Sequence, residues 1–199
     1  MLVSVSQDNT TTTVVSSANP SVFGQSVTFT ATVKAAAPGS GVPTGTVTFF
    51  DGSTFLGTIS LNSSGKATFK TSGLALGSHT ITVSYDGDSN FFASATTTPP
   101  LTQTVNQAAT KTTVISSANP SRFGQPVTFT ATVKAVAPGS GVPTGTVTFY
   151  DGTTPLGTAQ LYGSGQATIS ISTLSVGRTR SRLRTLAMAT SPPARRRRH

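Results

Sequence analysis

Over most of this chain, apolar and polar residues alternate one by one. In the run from Val27 to Val33, Val27, Phe29, Ala31 and Val33 share one parity, and Thr28, Thr30 and Thr32 the other. A period of two sends successive side chains to opposite faces, as a half-buried antiparallel strand requires. The same pattern predicts strands over residues 10–17, 44–50, 55–61, 66–72 and 79–85, and an extended stretch from about Ser94 to Gln107. Turn-forming clusters separate them: Ala-Asn-Pro before Ser21, Pro-Gly-Ser-Gly at 38–41, Asp-Gly at 51–52, Ser-Ser-Gly at 63–65 and Asp-Gly-Asp at 86–88. No segment carries a helical period. Seven short strands rich in threonine and valine predict an all-β, seven-stranded antiparallel β-sandwich.

The pattern then repeats. Residues 24–52 return at 124–152 with changes only at Ser26/Pro126, Ala36/Val136 and Phe50/Tyr150. A repeat this faithful sets the domain organisation. The register also runs backwards, since residues 5–14 align with residues 105–114, which predicts that residues 1–9 are the last strand of a preceding repeat. The expected layout is residues 1–9 as that end, 10–107 as one complete domain, 108–177 as a truncated domain, and 178–199 as a basic disordered tail.

These residues carry a family resemblance. Asn-Pro-Ser-x-Phe-Gly-Gln-x-Val-Thr-Phe-Thr-Ala-Thr-Val, Gly-x-Pro-Thr-Gly-Thr-Val-Thr-Phe-x-Asp-Gly and the run from Leu74 to Phe91 together resemble the bacterial Ig-like repeat. The resemblance covers nearly all of residues 10–107 and again 110–177. It implies a seven-stranded Ig-like sandwich, found in tandem in large bacterial surface and secreted proteins and acting as a stalk or adhesive module. It supplies no catalytic residue and no cofactor. The partners it implies are neighbouring Ig-like repeats, with a cell-surface protein or glycan outside the array.

Charge changes the picture only at one end. The net charge is +9, but eight basic residues lie beyond Gly177: Arg178, Arg180, Arg182, Arg184 and Arg195 to Arg198. The remaining six basic residues less five acidic ones leave +1 for residues 1–177. Likeness to the first copy also stops at Gly177, and the genetic code offers a reason. Joining the third base of one tail codon to the first two of the next recovers the first copy's residue at most positions between Ser78 and Pro99. Arg178–Thr179 permits a histidine codon opposite His79, Ala187–Met188 an aspartate codon opposite Asp88, and Thr190–Ser191 a phenylalanine codon opposite Phe91. A one-base frameshift near codon 177 is therefore expected to have replaced the last two strands of the second copy.

Candidate chemistry is sparse. The chain has no cysteine, no tryptophan and no glutamate, and only two histidines. The missing cysteines exclude a disulfide framework and a thiolate site. His79 shares the inward parity of Ile81, Val83 and Tyr85 and reads as a hydrogen-bonded structural histidine. Ser-Ser-Gly-Lys at 63–66 lacks the first glycine and the hydroxyl of a phosphate loop. Asp86, Asp88 and Asn90 have the spacing that opens a calcium loop, without the closing glutamate; a hairpin loop is the competing reading. The arginine tail could meet phosphates, but it lacks aromatics for base stacking, so no specific nucleic-acid partner is expected.

No apolar run is long enough to cross a bilayer, so no membrane insertion is expected, and Met1–Thr10 has no signal-peptide pattern. The reading is a non-catalytic structural or adhesive Ig-like module, extracellular or at the cell surface in its parent protein. The alternatives are a carbohydrate-binding module, which needs a row of exposed aromatics, and incidental binding of nucleic acid or an anionic surface by the tail.

Overall fold

The computed structural model describes residues 5–96 and 99–177, and the backbone of 181–188. Two compact units divide between Asn106 and Gln107, with the short Val22–Gln25 segment clustering with the second.

The first unit is built from β1 (Thr10–Ser16), β2 (Ser21–Val22), β3 (Val27–Ala35), β4 (Thr46–Asp51), β5 (Thr54–Ser60), β6 (Lys66–Thr71), β7 (Gly77–Tyr85), β8 (Ser94–Ala95) and β9 (Leu101–Asn106). One sheet has the order β1-β3-β6; the other runs β2-β9-β7-β4-β5, with β8 added on β7. The alternation read from the sequence decides what lies between them. Val27, Phe29, Ala31 and Val33 of β3 are buried, as are Val47 and Phe49 of β4 and Ile81, Val83 and Tyr85 of β7. Each large apolar side chain so buried contributes roughly 1.5–3 kcal/mol. The layers meet where the rings of Phe49 and Phe69 lie 5.7 Å apart. Gly57 sits on β5 because a Cβ there would come within 3.2 Å of the Phe69 ring.

Two local features differ from the strand pattern expected. The extended stretch from Ser94 to Gln107 is broken into β8 and β9, with Pro99 and Pro100 between them. Proline has no N–H to give to a ladder, so the chain leaves the sheet there. Residues 7 and 8, expected to end a preceding repeat, pair instead with the loop between β7 and β8. The Asp8 N–H donates to the Asn90 carbonyl at 2.8 Å, and its carbonyl accepts from the Phe92 N–H at 2.8 Å. Residues 1–4 lie outside the described residues.

The second unit contains β10 (Thr110–Ser116), β11 (Val127–Ala135), β12 (Thr144–Asp151), β13 (Thr154–Gln160), β14 (Gln166–Ile171) and β15 (Ser181–Met188). Its sheets have the orders β10-β11-β14 and β13-β12-β15. Register is preserved between copies: Val14 faces Ala31 and Val114 faces Ala131. Val127, Phe129, Val133, Val147, Phe149 and Leu161 are buried in its core.

The expected disordered tail is corrected over Ser181–Met188. These residues form a strand on β12, with Thr185 opposite Val147 where Tyr85 stands opposite Val47 in the first unit. The reason is that ladder hydrogen bonds come from the backbone, so an alternating segment can satisfy the open edge of β12 whatever its side chains. Residues 178–180 and 189–199 of that tail lie outside the described residues.

Candidate functional site

The loop at 86–90, read from the sequence as a calcium candidate or a hairpin turn, is organised by Asp88. Its Oδ2 accepts from the Thr44 N–H at 2.8 Å and the Thr44 hydroxyl at 2.6 Å; its Oδ1 accepts from the N–H groups of Asn90 at 2.7 Å and Phe91 at 2.9 Å. The Thr44 hydroxyl bond is the leading cause, ahead of opposing burial and the three N–H bonds, that holds the Asp88 carboxyl well below the usual carboxylate range. Asp86 accepts from the Thr46 hydroxyl at 3.0 Å, and the Asn90 backbone serves Asp8. Both Asp88 oxygens are thus already engaged by four donors, so a cation would have to displace bonds that fasten the turn before β4 to the loop. The geometry favours the turn over the calcium loop.

His79 stands near the start of β7, half-buried with 12% of its side chain exposed. Its Nδ1 lies 2.6 Å from Asp51 Oδ2 at the end of β4, and its Nε2 lies 2.9 Å from the Ala75 carbonyl. Both partners are acceptors, so the doubly protonated imidazolium, with two N–H donors, suits the site. Burial lowers the imidazole, but the Ala75 carbonyl and then the Asp51 carboxylate outweigh it and hold it above its ordinary value. No nucleophile stands in this arrangement. It clips β4 to the loop before β7. His199 lies outside the described residues.

Tyr85 is wholly buried, and its hydroxyl has no hydrogen-bond partner among the described residues. Burial, with the nearby negative charge of Asp88 and Asp86, pushes the phenol up to about 12. It is a core group, not an acid at neutral pH.

Sequence reasoning missed a polar centre under β9. Gln103 is fully buried. Its Nε2 donates to the Ala18 carbonyl (2.9 Å), the Ser21 hydroxyl (3.1 Å) and the Thr104 carbonyl (3.1 Å), while its Oε1 accepts from the Ser16 hydroxyl at 2.6 Å. Beside it, Asn19 donates to the Thr102 carbonyl at 2.6 Å and accepts from the Thr104 N–H at 3.0 Å. One amide side chain thereby grips the backbone of β9 at two points. The available signal was a glutamine at the inward parity of Leu101–Val105.

In the second unit the corresponding residues line an open cavity of about 670 Å³, among them Ser116, Ala118, Asn119, Ser121, Phe129 and Leu174. Ser21 is 1% exposed, whereas Ser121 is exposed.

Exposed aromatics are more numerous than parity suggested: Phe55, Phe92, Phe123 and Tyr162 all reach solvent. Phe50 and Phe55 meet edge to face at 76°, so they present no flat platform for a sugar ring. Among the described residues, no group of three or more His, Cys, Asp or Glu side chains gathers where a metal could be held. No helix among them is long and apolar enough to cross a membrane.

Two stacked sheets, a repeated register and the same turns in both copies agree with one family. The profile of the bacterial Ig-like domain (group 3) matches residues 10–106 and 113–181. The chain belongs to the bacterial Ig-like domain family. Among solved structures it is similar to the Yersinia pseudotuberculosis adhesin InvE, with 21% identity and a TM-score of 0.42, over 80% of this chain and 50% of that one. It is also similar to the Escherichia coli adhesin FdeC, with 16% identity and a TM-score of 0.30, over 80% of this chain and 54% of that one. The chain spans about half the length of each. No curated protein matches it in sequence.

Proposed function

We propose that this Ig-like chain is a non-catalytic structural and adhesive module of a bacterial cell-surface or secreted protein. The observation that carries the reading is that the family profile matches both copies and accounts for nearly every ordered strand. The polar groups of the described residues serve the fold: Asp88 and His79 fasten loops, and Gln103 fastens β9. What the sheets offer outward is rich in hydroxyls, as in the exposed Thr48–Thr58 and Thr148–Thr158 pairs at 3.0 and 2.9 Å. Neighbouring repeats and a cell-surface protein or glycan are the partners this surface suits.

The test is binding of the purified chain to a glycan array, to matrix proteins and to bacterial envelopes, at low and high salt. Saturable binding that persists in salt, and survives Arg195–Arg198 each changed to serine, supports the reading. Binding that disappears with salt or with those substitutions overturns it in favour of charge-driven contact by the tail, whose affinity would fall steeply with salt.

A further inference from the structure

Charge is sorted by sheet within each unit. In the first unit, the solvent face of the β1-β3-β6 sheet carries Lys34, Lys66 and Lys70, all exposed. Their parity is opposite to that of the buried Val27, Phe29, Val33 and Ala67, which fixes them on the outer side. The acidic residues lie elsewhere: Asp51 ends β4 in the other sheet, Asp86 and Asp88 follow β7, and Asp8 pairs with the loop between β7 and β8. Among the described residues none of the three lysines has a carboxylate partner, and the ion pair of this unit joins His79 to Asp51.

Register then brings like charges together. Thr32 faces Lys66 across the β3–β6 ladder, so Lys34, two residues on, is a diagonal neighbour of Lys66 at about 7–8 Å. The second unit draws its lysines closer at the same end of the same face. Lys111 stands directly opposite Lys134 across β10 and β11, which sets their Cβ atoms about 4.5–5.5 Å apart and costs stability between like charges. Both are exposed, and Asp151, the acidic residue of that unit, ends β12 in the other sheet. An anion seated between such lysines removes the repulsion. Beside them the face is hydroxylic: Thr30, Thr32 and Thr68 in the first unit, Thr130, Thr132 and Thr168 in the second.

We propose that this face of each unit binds a linear acidic polysaccharide whose sugars carry carboxylates. The inference rests on the adhesive reading and names its ligand class. The ammonium groups donate charge-assisted hydrogen bonds to the carboxylates, and the threonine hydroxyls exchange hydrogen bonds with the sugar hydroxyls between them. The face suits other polyanions less well. It presents no aromatic side chain on which a base could stack, as single-stranded nucleic acid would need. A protein partner would need a cluster of large anchors, whereas the face offers one large apolar side chain per unit, Val15 or Ile115. Two or three ammonium contacts per unit make binding fall with salt far less steeply than contact by the arginine tail would.

Calorimetric titration with polygalacturonate at about 0.15 M salt, with its uncharged methyl ester as comparison, tests it. The protein is the full chain with Arg195–Arg198 changed to serine, which reduces the contribution of the tail. Free polygalacturonate should bind and the methyl ester should not. Lys34→Gln combined with Lys134→Gln should weaken binding about tenfold, the loss of a charge-assisted hydrogen bond in each unit. Arginine at both positions should retain it. Lys134→Gln alone should weaken binding more than Arg122→Gln, which removes the same charge from a turn off this face. All three side chains are exposed, so the variants should keep the native circular dichroism. Equal losses from Lys134→Gln and Arg122→Gln, or equally tight binding of duplex DNA, would mean attraction by net charge alone and would overturn the proposal. Equal binding of the methyl ester would overturn it too. If polygalacturonate does not bind while a neutral glycan or a matrix protein does, the proposal fails and the adhesive reading stands; if nothing binds, both fail.

Discussion

His79 and Asp88 fasten opposite ends of the β4–β7 pair by opposite protonation logic. The imidazolium of His79 has two acceptors, so its folded pKa is raised. Its contribution is complete below the unfolded value, about 6.5, and is lost as pH rises through the higher folded value. Asp88 is depressed, so its contribution is present above the ordinary carboxylate value of about 3.9 and is lost only as pH falls through its folded value. The first unit should therefore be most stable between these limits and lose stability on the alkaline side first. Thermal unfolding from pH 5 to 9 should show a decline of about 1 kcal/mol through the His79 window, and Asp51→Asn should flatten it. An unchanged decline in Asp51→Asn would mean that another group titrates there. At this scale the sequence showed that His79 faces inward, because parity is a local property. It did not show that Asp51 and Ala75 would flank it, because those contacts depend on how β4 meets β7.

Among the elements, the strands of β3, β4 and β7 were legible because alternation and burial say the same thing at each residue. The strand β9 was legible as an extended stretch only. Its start was hidden in a threonine- and proline-rich run, where periodicity fades, and its anchor is a polar residue at a position where apolar side chains are the usual occupants. Gln103 is nonetheless what seats the strand. Gln103→Ala would take one hydrogen bond each from the Ser16 and Ser21 hydroxyls and the Ala18 and Thr104 carbonyls, leaving Ser16 its bond to the Ala18 carbonyl and Ser21 its bond to the Thr104 carbonyl. It would also open a cavity where the buried amide stood. A loss of about 3 kcal/mol in the first unit is the expected outcome of urea denaturation. A change below about 0.5 kcal/mol, the usual size for an exposed position, would show that solvent satisfies those groups. Gln103→Leu should be nearly as harmful, since restoring apolar volume does not restore the partners. The strand β15 teaches the converse lesson. Its composition spoke for a tail, but β12 offers an open edge, and backbone pairing needs no particular side chain.

For the molecule as a whole, a shared strand register does not imply equal stabilities. In the register of the first unit, positions 81, 83 and 85 are Ile, Val and Tyr, all buried, and Phe91 follows; the second has Ser181, Leu183 and Thr185 at the matching positions. Losing three of these four large apolar groups removes on the order of 6 kcal/mol, an upper estimate because unfolded chains already bury some surface. A domain has only about 5–15 kcal/mol in total. Denaturation should consequently show two transitions, the second unit unfolding first, and Tyr85→Ala should lower only the later one. Replacing residues 178–199 with the first copy's sequence from Ser78 to Gln107 should bring the two transitions together. The Ser78–Pro99 part of that replacement is also what we infer the shifted reading frame once encoded, so coding DNA beyond codon 177 should translate as Ig-like repeat in that frame. If the transitions stay apart after the replacement, the difference lies in the remaining sequence changes between the copies, among them the three within β13 and the four within β14. If the shifted frame carries no repeat, the arginine-rich strand β15 is an original part of the second unit and not a relic of a longer array.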